Sequence, residues 1–192
     1  MLDARRYGAI ILKNALYAGQ LVDDLKLTYQ LQSNMLPIRA GAGNITRFVR
    51  EVVIDMLNAP EYEGRQISFT AAREDVPYSF DARLLRRALA NILANALKHN
   101  KPGTEIAVSL GGGSDVEIVI ADQGKGMTPE ELDGLFKRYY RGGNTDGKAE
   151  GSGLGMAIAK QIVEAHNGSL SAQSVVGAGT TVTMWLPSQG KV

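Results

Sequence analysis

The sequence predicts an α+β fold, a two-layer α/β sandwich with helices on one face of a mixed β-sheet, preceded by a long N-terminal helix. Three observations support this architecture. Segments with helical periodicity alternate with strand-like segments from residue 44 onward. One long helical pattern precedes them. Two glycine-rich turns interrupt the second half, the first after an apolar strand and the second before a helix.

The composition limits what the chain can be. Its 192 residues allow one domain plus a small additional element, and 44% hydrophobic residues allow a sizeable core. A net charge of +1 gives no indication of nucleic-acid binding, and zero cysteines exclude disulfides and thiolate metal sites. No apolar run approaches the roughly 18 residues of a spanning helix, and no signal peptide opens the chain. We therefore expect a soluble chain that could be part of a longer membrane protein.

The N-terminal helical pattern runs from about Leu2 to Met35 and ends before Pro37. Such a helix either packs on the main domain or forms half of a helical hairpin that dimerises. We predict this unit over residues 1–36 and a main domain over residues 44–187. The apolar residues of the helix follow coiled-coil-like spacings of four and three, and they are Ile11, Ala15, Ala18, Val22, Leu25 and Tyr29.

The first half of the main domain contains two predicted helices and one strand. Asn44 is the predicted N-cap of a helix over Ile45–Leu57, and Asp81 that of a helix over Ala82–His99. Between them, Gln66–Ala71 alternates apolar and polar residues as a strand does. The second helix is expected to stop at the turn formed by residues 100–103.

The second half contains two predicted hairpins and one helix. Glycine-containing linkers, residues 111–114 and 177–179, join the strands of each hairpin. The predicted elements are, in order, strands Glu105–Leu110 and Val116–Ala121, a helix from Gly153 to His166, and strands Ser169–Ser174 and Thr180–Leu186.

Four polar residues share one face of the predicted helix over residues 82–99. At about 100° per residue, Asn95, Lys98 and His99 all lie within about 80° of Asn91. An asparagine oxygen is a hard ligand suited to Mg²⁺, and a lysine supplies a point charge for phosphate. The alternative is an ordinary solvated face, although asparagines are poor interior helix formers.

Two glycine runs indicate a nucleotide pocket. Asp122 ends an apolar strand, and its carboxylate either accepts a hydrogen bond from an exocyclic amine such as that of adenine or caps a turn. Gly124 and Gly126 would let a base lie against the backbone. The run from Gly151 to Gly155 leads into a helix, whose N-terminal N–H groups suit phosphate.

The segment between these runs, Lys137–Glu150, contains glycines and positive charge but few aliphatic residues. We predict a lid here, and we expect residues Lys137–Gly151 to be disordered or variable without nucleotide. Arg138 and Arg141 either clamp the outer phosphates or form ordinary surface charge.

Other nucleotide-binding classes lack their motifs. The chain has no Gly-x-x-x-x-Gly-Lys-Ser/Thr run, which argues against a P-loop. Its second glycine run follows a polar loop rather than a strand, which argues against a dinucleotide fingerprint. The His-Arg-Asp and Asp-Phe-Gly signatures of protein kinases are absent.

The ordered motifs resemble the ATP-binding catalytic domain of bacterial sensor histidine kinases, in the superfamily shared with gyrase, Hsp90 and MutL. The resemblance covers about residues 44–187 and implies a Bergerat-type ATP-binding fold. It rests on four boxes: Asn91-Ile-Leu-Ala-Asn-Ala-Leu-Lys-His99, Asp122-Gln-Gly-Lys-Gly-Met127, Leu135-Phe-Lys-Arg-Tyr-Tyr-Arg141 and Gly151-Ser-Gly-Leu-Gly155.

The resemblance assigns roles to these residues. Asn95 would hold Mg²⁺ with Asn91 beside it, the two being the predicted catalytic residues, and Asp122 would bind the adenine amine. His99 stands where a tyrosine is common. The remaining nucleotide-binding residues implied are Lys98, His99, Arg138 and Arg141 at the phosphates, Gly124, Gly126 and Met127 beside the base, and Gly153, Leu154 and Gly155 as backbone donors.

The first helix resembles the second helix of the kinase dimerisation hairpin. Neither His99 nor His166 stands in the His-Glu or His-Asp context of a phosphoacceptor. We therefore expect an ATP- and Mg²⁺-dependent protein-histidine kinase domain whose acceptor histidine lies in a dimerisation domain and whose phosphate passes to a response regulator. We also expect a cytoplasmic location, as part of a membrane-bound sensor, and a possible homodimer through residues 1–36. The alternatives are an anti-sigma-factor-like serine kinase or a non-catalytic nucleotide-binding module.

Overall fold

The structure, a computed structural model, describes residues 2–33, 37–140 and 152–188. The chain divides into two compact units, residues 1–36 and 37–192. The first contains helix α1, Leu2–Gln32. Its predicted apolar series is exposed, with Ile11, Val22 and Tyr29 each more than 60% accessible. Whether α1 pairs with another helix stays a prediction. Within the described ranges, no helix has the length and apolar character required to cross a bilayer.

The second unit contains the remaining elements, together with a short 3₁₀ turn at Pro60–Tyr62. Its helices are α2 (Ile45–Leu57), α3 (Ala82–His99), α4 (Pro129–Gly134) and α5 (Gly155–Ala165). Its strands are β1 (Gly41–Asn44), β2 (Ile67–Ala71), β3 (Pro77–Phe80), β4 (Ile106–Gly111), β5 (Val116–Asp122), β6 (Ser169–Val175) and β7 (Gly179–Leu186).

Five strands form one sheet in the order β2-β4-β5-β7-β6. The β2–β4 pair is parallel and the other pairs are antiparallel, so the sheet is mixed as predicted. Alternate residues along the central strands are buried, as at Val108, Ile120 and Val182, which are partners across the sheet. The buried faces of α2, α3 and α5 complete the core. The predicted two-layer α+β fold is confirmed.

The helix N-caps predicted for α2 and α3 are present. The Asn44 side chain accepts the N–H of Arg47 at 3.0 Å, and the Asp81 side chain accepts that of Leu84 at 3.1 Å. Asp81 also accepts the N–H of Arg39 at 3.0 Å. Burial raises the pKa of Asp81, but these backbone hydrogen bonds outweigh it and leave the pKa below its ordinary value. With these caps in place, both helices begin and end at the predicted residues.

Three features differ from the sequence prediction. Residues 41–44 and 77–80 form an antiparallel pair, β1 with β3, where no strands were predicted. The six-residue α4 was not predicted, although its Thr128–Glu131 capping box is a sequence signal for a helix start. Helix α5 begins at Gly155 rather than Gly153, because Gly153 has a positive φ of 68° that does not belong to a right-handed helix.

Candidate functional site

The polar face of α3 begins at Asn91. Ala88 and Leu84, about one and two turns earlier on that side of the helix, are buried, so the N-terminal half of this face belongs to the core. Asn91 is half-buried, and its side-chain amide donates to the carbonyl oxygen of Gly155 at 3.0 Å. This hydrogen bond joins the middle of α3 to the first residue of α5, across 64 residues of sequence.

Asn95, one turn further along α3, is half-buried, and its side chain makes no hydrogen bond to another described residue. Its amide oxygen is therefore available to a ligand. Among the described residues, no three His, Cys, Asp or Glu side chains group together as a metal site. Mg²⁺ typically takes one or two protein oxygens and completes its shell with water and phosphate. Asn95 fits that mode of binding.

Asp122 continues the inward-facing row of β5. Side chains alternate along a strand, so Asp122 shares the face of Ile118 and Ile120, which are buried against the helices. One carboxylate oxygen, Oδ1, accepts the N–H of Gly124 at 2.9 Å. The other oxygen has no partner among the described residues, and the side chain is half-buried. Asp122 therefore both caps the turn and presents a free acceptor at the strand end.

The glycines of this turn have structural reasons to lack a side chain. A Cβ at Gly124 would lie 1.4 Å from Oδ1 of Asn100, whose buried amide donates to the carbonyl of Ala96 at 2.9 Å. A Cβ at Gly126, where φ is 64°, would lie 1.9 Å from the carbonyl oxygen of Val175. Both glycines are therefore required by neighbouring protein atoms. Their contact with a base stays a prediction, as does that of Met127.

Positive charge collects where α3 ends. His99 reaches solvent, yet burial of its imidazole is the largest cause of a pKa below the ordinary value. The positive charges of Lys125 and Lys98 lower the pKa further, and Glu131 raises it. Lys125 thus lies within electrostatic range of the end of α3 and strengthens a site for an anion. Lys125 and Asn100 were not among the predicted site residues, because their importance depends on residues of other elements.

The start of α5 is the predicted phosphate end. No side chain caps this helix, which leaves the positive end of its dipole available to an anion. The N–H of Leu154 donates to the Ser152 hydroxyl at 3.2 Å, so that predicted donor is engaged within the chain. A Cβ at Gly155 would meet only ordinary contacts with Asn91, at 3.5 Å and beyond. Packing therefore does not require glycine at position 155.

The base of the predicted lid is joined across its two ends. The N–H of Tyr139 donates to the carbonyl oxygen of Gly153 at 2.9 Å, and both residues have a positive φ. Arg138 beside it is half-buried, and its side chain has no partner among the described residues. Arg141 lies outside the described residues, as does most of the predicted lid. The structure thus joins Asn91 to Gly155 and Asp122 to Gly124 directly, and leaves Asn95 and Arg138 unbonded within the described ranges.

Comparison with known proteins identifies the family. Residues 80–190 match the family described as "Histidine kinase-, DNA gyrase B-, and HSP90-like ATPase", which is more than half of the chain. The chain belongs to this ATPase family. The matched region contains β5, α5 and the two glycine turns, so it includes every predicted site residue.

The relatives are sensor kinases. The chain is 38% identical over 188 residues to the sensor histidine kinase YvrG of Bacillus subtilis (strain 168), covering 97% of this chain and 32% of that protein. It is 31% identical over 182 residues to the sensor protein SrrB of Staphylococcus aureus (strain NCTC 8325 / PS 47), covering 93% of this chain and 31% of that protein. The chain thus spans about a third of the length of these curated relatives.

A solved structure shares the fold. The mycobacterial sensor histidine kinase MprB superposes with a TM-score of 0.66 at 28% identity, covering 78% of this chain and 98% of that one. The expected resemblance to the catalytic domain of sensor histidine kinases is confirmed. The roles of individual site residues are not tested by these likenesses and stay predictions.

Proposed function

We propose that this chain binds ATP with Mg²⁺ and serves as the catalytic domain of a two-component sensor histidine kinase. The observation that carries this proposal is the free oxygen of Asp122 at the end of β5, beside a glycine turn. An acceptor there matches the exocyclic amine of adenine. Guanine carries a carbonyl oxygen at the equivalent position, and two acceptors facing each other do not bond.

The phosphates are proposed to lie between the end of α3 and the start of α5. Lys98, Lys125 and the uncapped α5 supply positive charge without forming an ion pair that would consume it within the described residues. Arg138 and Arg141 would reach the same phosphates from the lid. Such charge supports phosphoryl transfer because the reaction depends mainly on positioning and electrostatic stabilisation.

Mg²⁺, when bound, would neutralise part of the charge of the phosphates. Asn95 would hold it through the amide oxygen that has no described partner. Asn91 would contribute by holding α3 against Gly155, through the hydrogen bond already described. His99, neutral at neutral pH because its pKa is lowered, would offer a hydrogen bond rather than a charge.

The acceptor is proposed to be a histidine of a dimerisation domain, of which residues 1–36 are one helix. The two histidines of this chain, His99 and His166, are followed by asparagine rather than by Glu or Asp. His166 also has a structural role, because its ring accepts the N–H of Asp81 at 3.1 Å. We further propose dimerisation through residues 1–36, transfer onward to a cognate response regulator, and a cytoplasmic position in a membrane-bound sensor.

The test supplies γ-labelled ATP and Mg²⁺ to the chain together with a separately produced dimerisation domain. We expect label on that domain, and this label should be acid-labile because phosphohistidine is acid-labile. We expect no label on the chain alone, because neither of its histidines stands in the sequence context of a phosphoacceptor. Acid-stable label on a partner serine would instead establish a serine kinase. Binding without any transfer would reduce the chain to a nucleotide-binding module, and no ATP binding at millimolar concentration in calorimetry would refute the proposal entirely.

A further inference from the structure

The turn at residues 122–127 is held from outside by the hairpin that joins β6 to β7. The N–H of Gly177 donates to the carbonyl oxygen of Lys125 at 2.7 Å. The N–H of Met127 donates to the Ser174 hydroxyl at 2.8 Å, across 47 residues of sequence. The Val175 carbonyl lies against Gly126, where no Cβ could fit. Three successive residues of the turn therefore contact the hairpin.

The Ser174 hydroxyl is fully used in these contacts. It lies 2.8 Å from the carbonyl oxygen of Gly179 and 2.9 Å from the Thr180 hydroxyl. A carbonyl can only accept, so the single hydroxyl hydrogen of Ser174 is donated to Gly179. Thr180 must then donate to Ser174, which also accepts from Met127. One donor and two acceptor positions are thereby all occupied, and this fixes the orientation of the hydroxyl.

We propose that Ser174 is a positioning residue for the nucleotide base. The inference rests on the proposed function, in which Met127 lies beside the base. Ser174 acts through Met127 by holding its N–H, and we do not assign it a contact with the nucleotide. Because that N–H is already engaged, the turn recognises the base through the free oxygen of Asp122 rather than through the Met127 amide.

Strand β6 pairs with β7 along its whole length, so the coupling to the glycine turn depends on the exposed tip of this hairpin. Strand β6 is at the edge of the sheet, and Val175 and Val176 at its end are 66% and 64% exposed. Few apolar contacts therefore hold the hairpin tip in place, and the polar contacts to the glycine turn carry the coupling. Without Ser174, the Gly177 to Lys125 hydrogen bond and the strand pairing of Asp122 with Thr180 would still join the two segments, but the Met127 N–H would lose its partner.

The test compares Ser174→Ala with two further variants in the full chain. Ser171→Ala is the matched control, because Ser171 is an exposed serine on the same strand. Ser174→Thr keeps the hydroxyl on a β-branched side chain that suits a strand. We expect Ser174→Ala to weaken ATP·Mg²⁺ binding roughly tenfold, which corresponds to about 1.4 kcal/mol, as expected for one lost hydrogen bond. We expect the Thr variant to restore binding and the control to leave it unchanged.

Amide hydrogen exchange on nucleotide-free protein provides an independent measurement. We expect the Met127 amide to exchange slowly in the unaltered chain and faster in Ser174→Ala. Fast exchange of Met127 in the unaltered chain would overturn the inference without any variant. Unaltered affinity in a folded Ser174→Ala protein would overturn it while leaving ATP binding established. Failure of the unaltered chain to bind ATP would refute the proposed function itself, and with it the role of Ser174.

Discussion

Asp122→Asn provides a discriminating test of the site. Oδ1 of an asparagine retains the acceptor that caps the N–H of Gly124, so the turn should keep its conformation. The second oxygen, which has no partner among the described residues, becomes an amide nitrogen. That nitrogen donates, and the exocyclic amine of adenine also donates. The substitution therefore replaces an attractive contact with a repulsive one and leaves the fold unchanged.

The expected loss follows from the type of hydrogen bond. A hydrogen bond to a charged group contributes about 1.5–3 kcal/mol, and each 1.4 kcal/mol is tenfold in affinity. We therefore expect ATP affinity to fall by roughly 10- to 150-fold. Binding of GTP should fall less or improve, because the guanine oxygen now faces a donor. The ratio of the two affinities, measured by calorimetry with Mg²⁺ present, is the decisive quantity.

Glu117→Gln is the matched control. Glu117 is an exposed carboxylate on the same strand, and it lies on the opposite face of the sheet because its position differs from 122 by an odd number. It should leave both affinities and the melting temperature unchanged. An Asp122→Asn protein that melts like the unaltered chain and still prefers ATP to GTP by the original factor would contradict the proposed contact between Asp122 and adenine.

Three further predictions concern other residues. Asn95→Ala should remove most of the Mg²⁺ dependence of ATP-analogue binding, and an unchanged Mg²⁺ dependence in titrations would contradict its role. Gly124→Ala should destabilise the fold by about 1–3 kcal/mol, since the new Cβ would overlap the buried Asn100 side chain. In denaturant unfolding, the double variant with Asn100→Ala should lose less stability than the sum of the two single variants. Asp81 has a folded pKa below its ordinary value, so its contribution to the stability of the fold is complete above about pH 4 and is lost as the pH falls through the folded pKa. Asp81→Asn should therefore lose less stability on acidification than the unaltered chain. An identical dependence of stability on pH would contradict this role of Asp81.

The local elements were largely predictable because their signals lie within short segments. Helices α2 and α3 have their predicted bounds, since a side-chain cap and an apolar period define each one locally. The β1–β3 pair was not predictable in the same way. Its two strands lie about 36 residues apart in the sequence. The Phe80 ring packs over Gly43, with a ring atom 3.3 Å from where a Cβ of residue 43 would stand. The pairing therefore depends on contact with Phe80 rather than on the strand propensity of residues 41–44.

The site was predictable as a set of residue types and not as a set of contacts. The sequence predicted Asp122 at the end of an apolar strand, and the structure places it on the same face as the buried Ile118 and Ile120. Ordered motifs were sufficient to indicate the family that the comparison then identified. Nothing in the motifs indicated that Lys125 approaches His99, or that Ser174 holds Met127.

The sequence by itself determined the periodicity, the caps and the glycine runs of this protein, because hydrogen bonds and side-chain patterns within one segment produce them. Only the tertiary structure shows why Gly124 and Gly126 must lack side chains: Asn100 and Val175, from other elements, occupy the space that a Cβ at these positions would need. It also decided that the Ser174 hydroxyl holds the N–H of Met127, 47 residues away in sequence. Such features depend on atoms that are distant in sequence and meet only when the sheet and helices pack together.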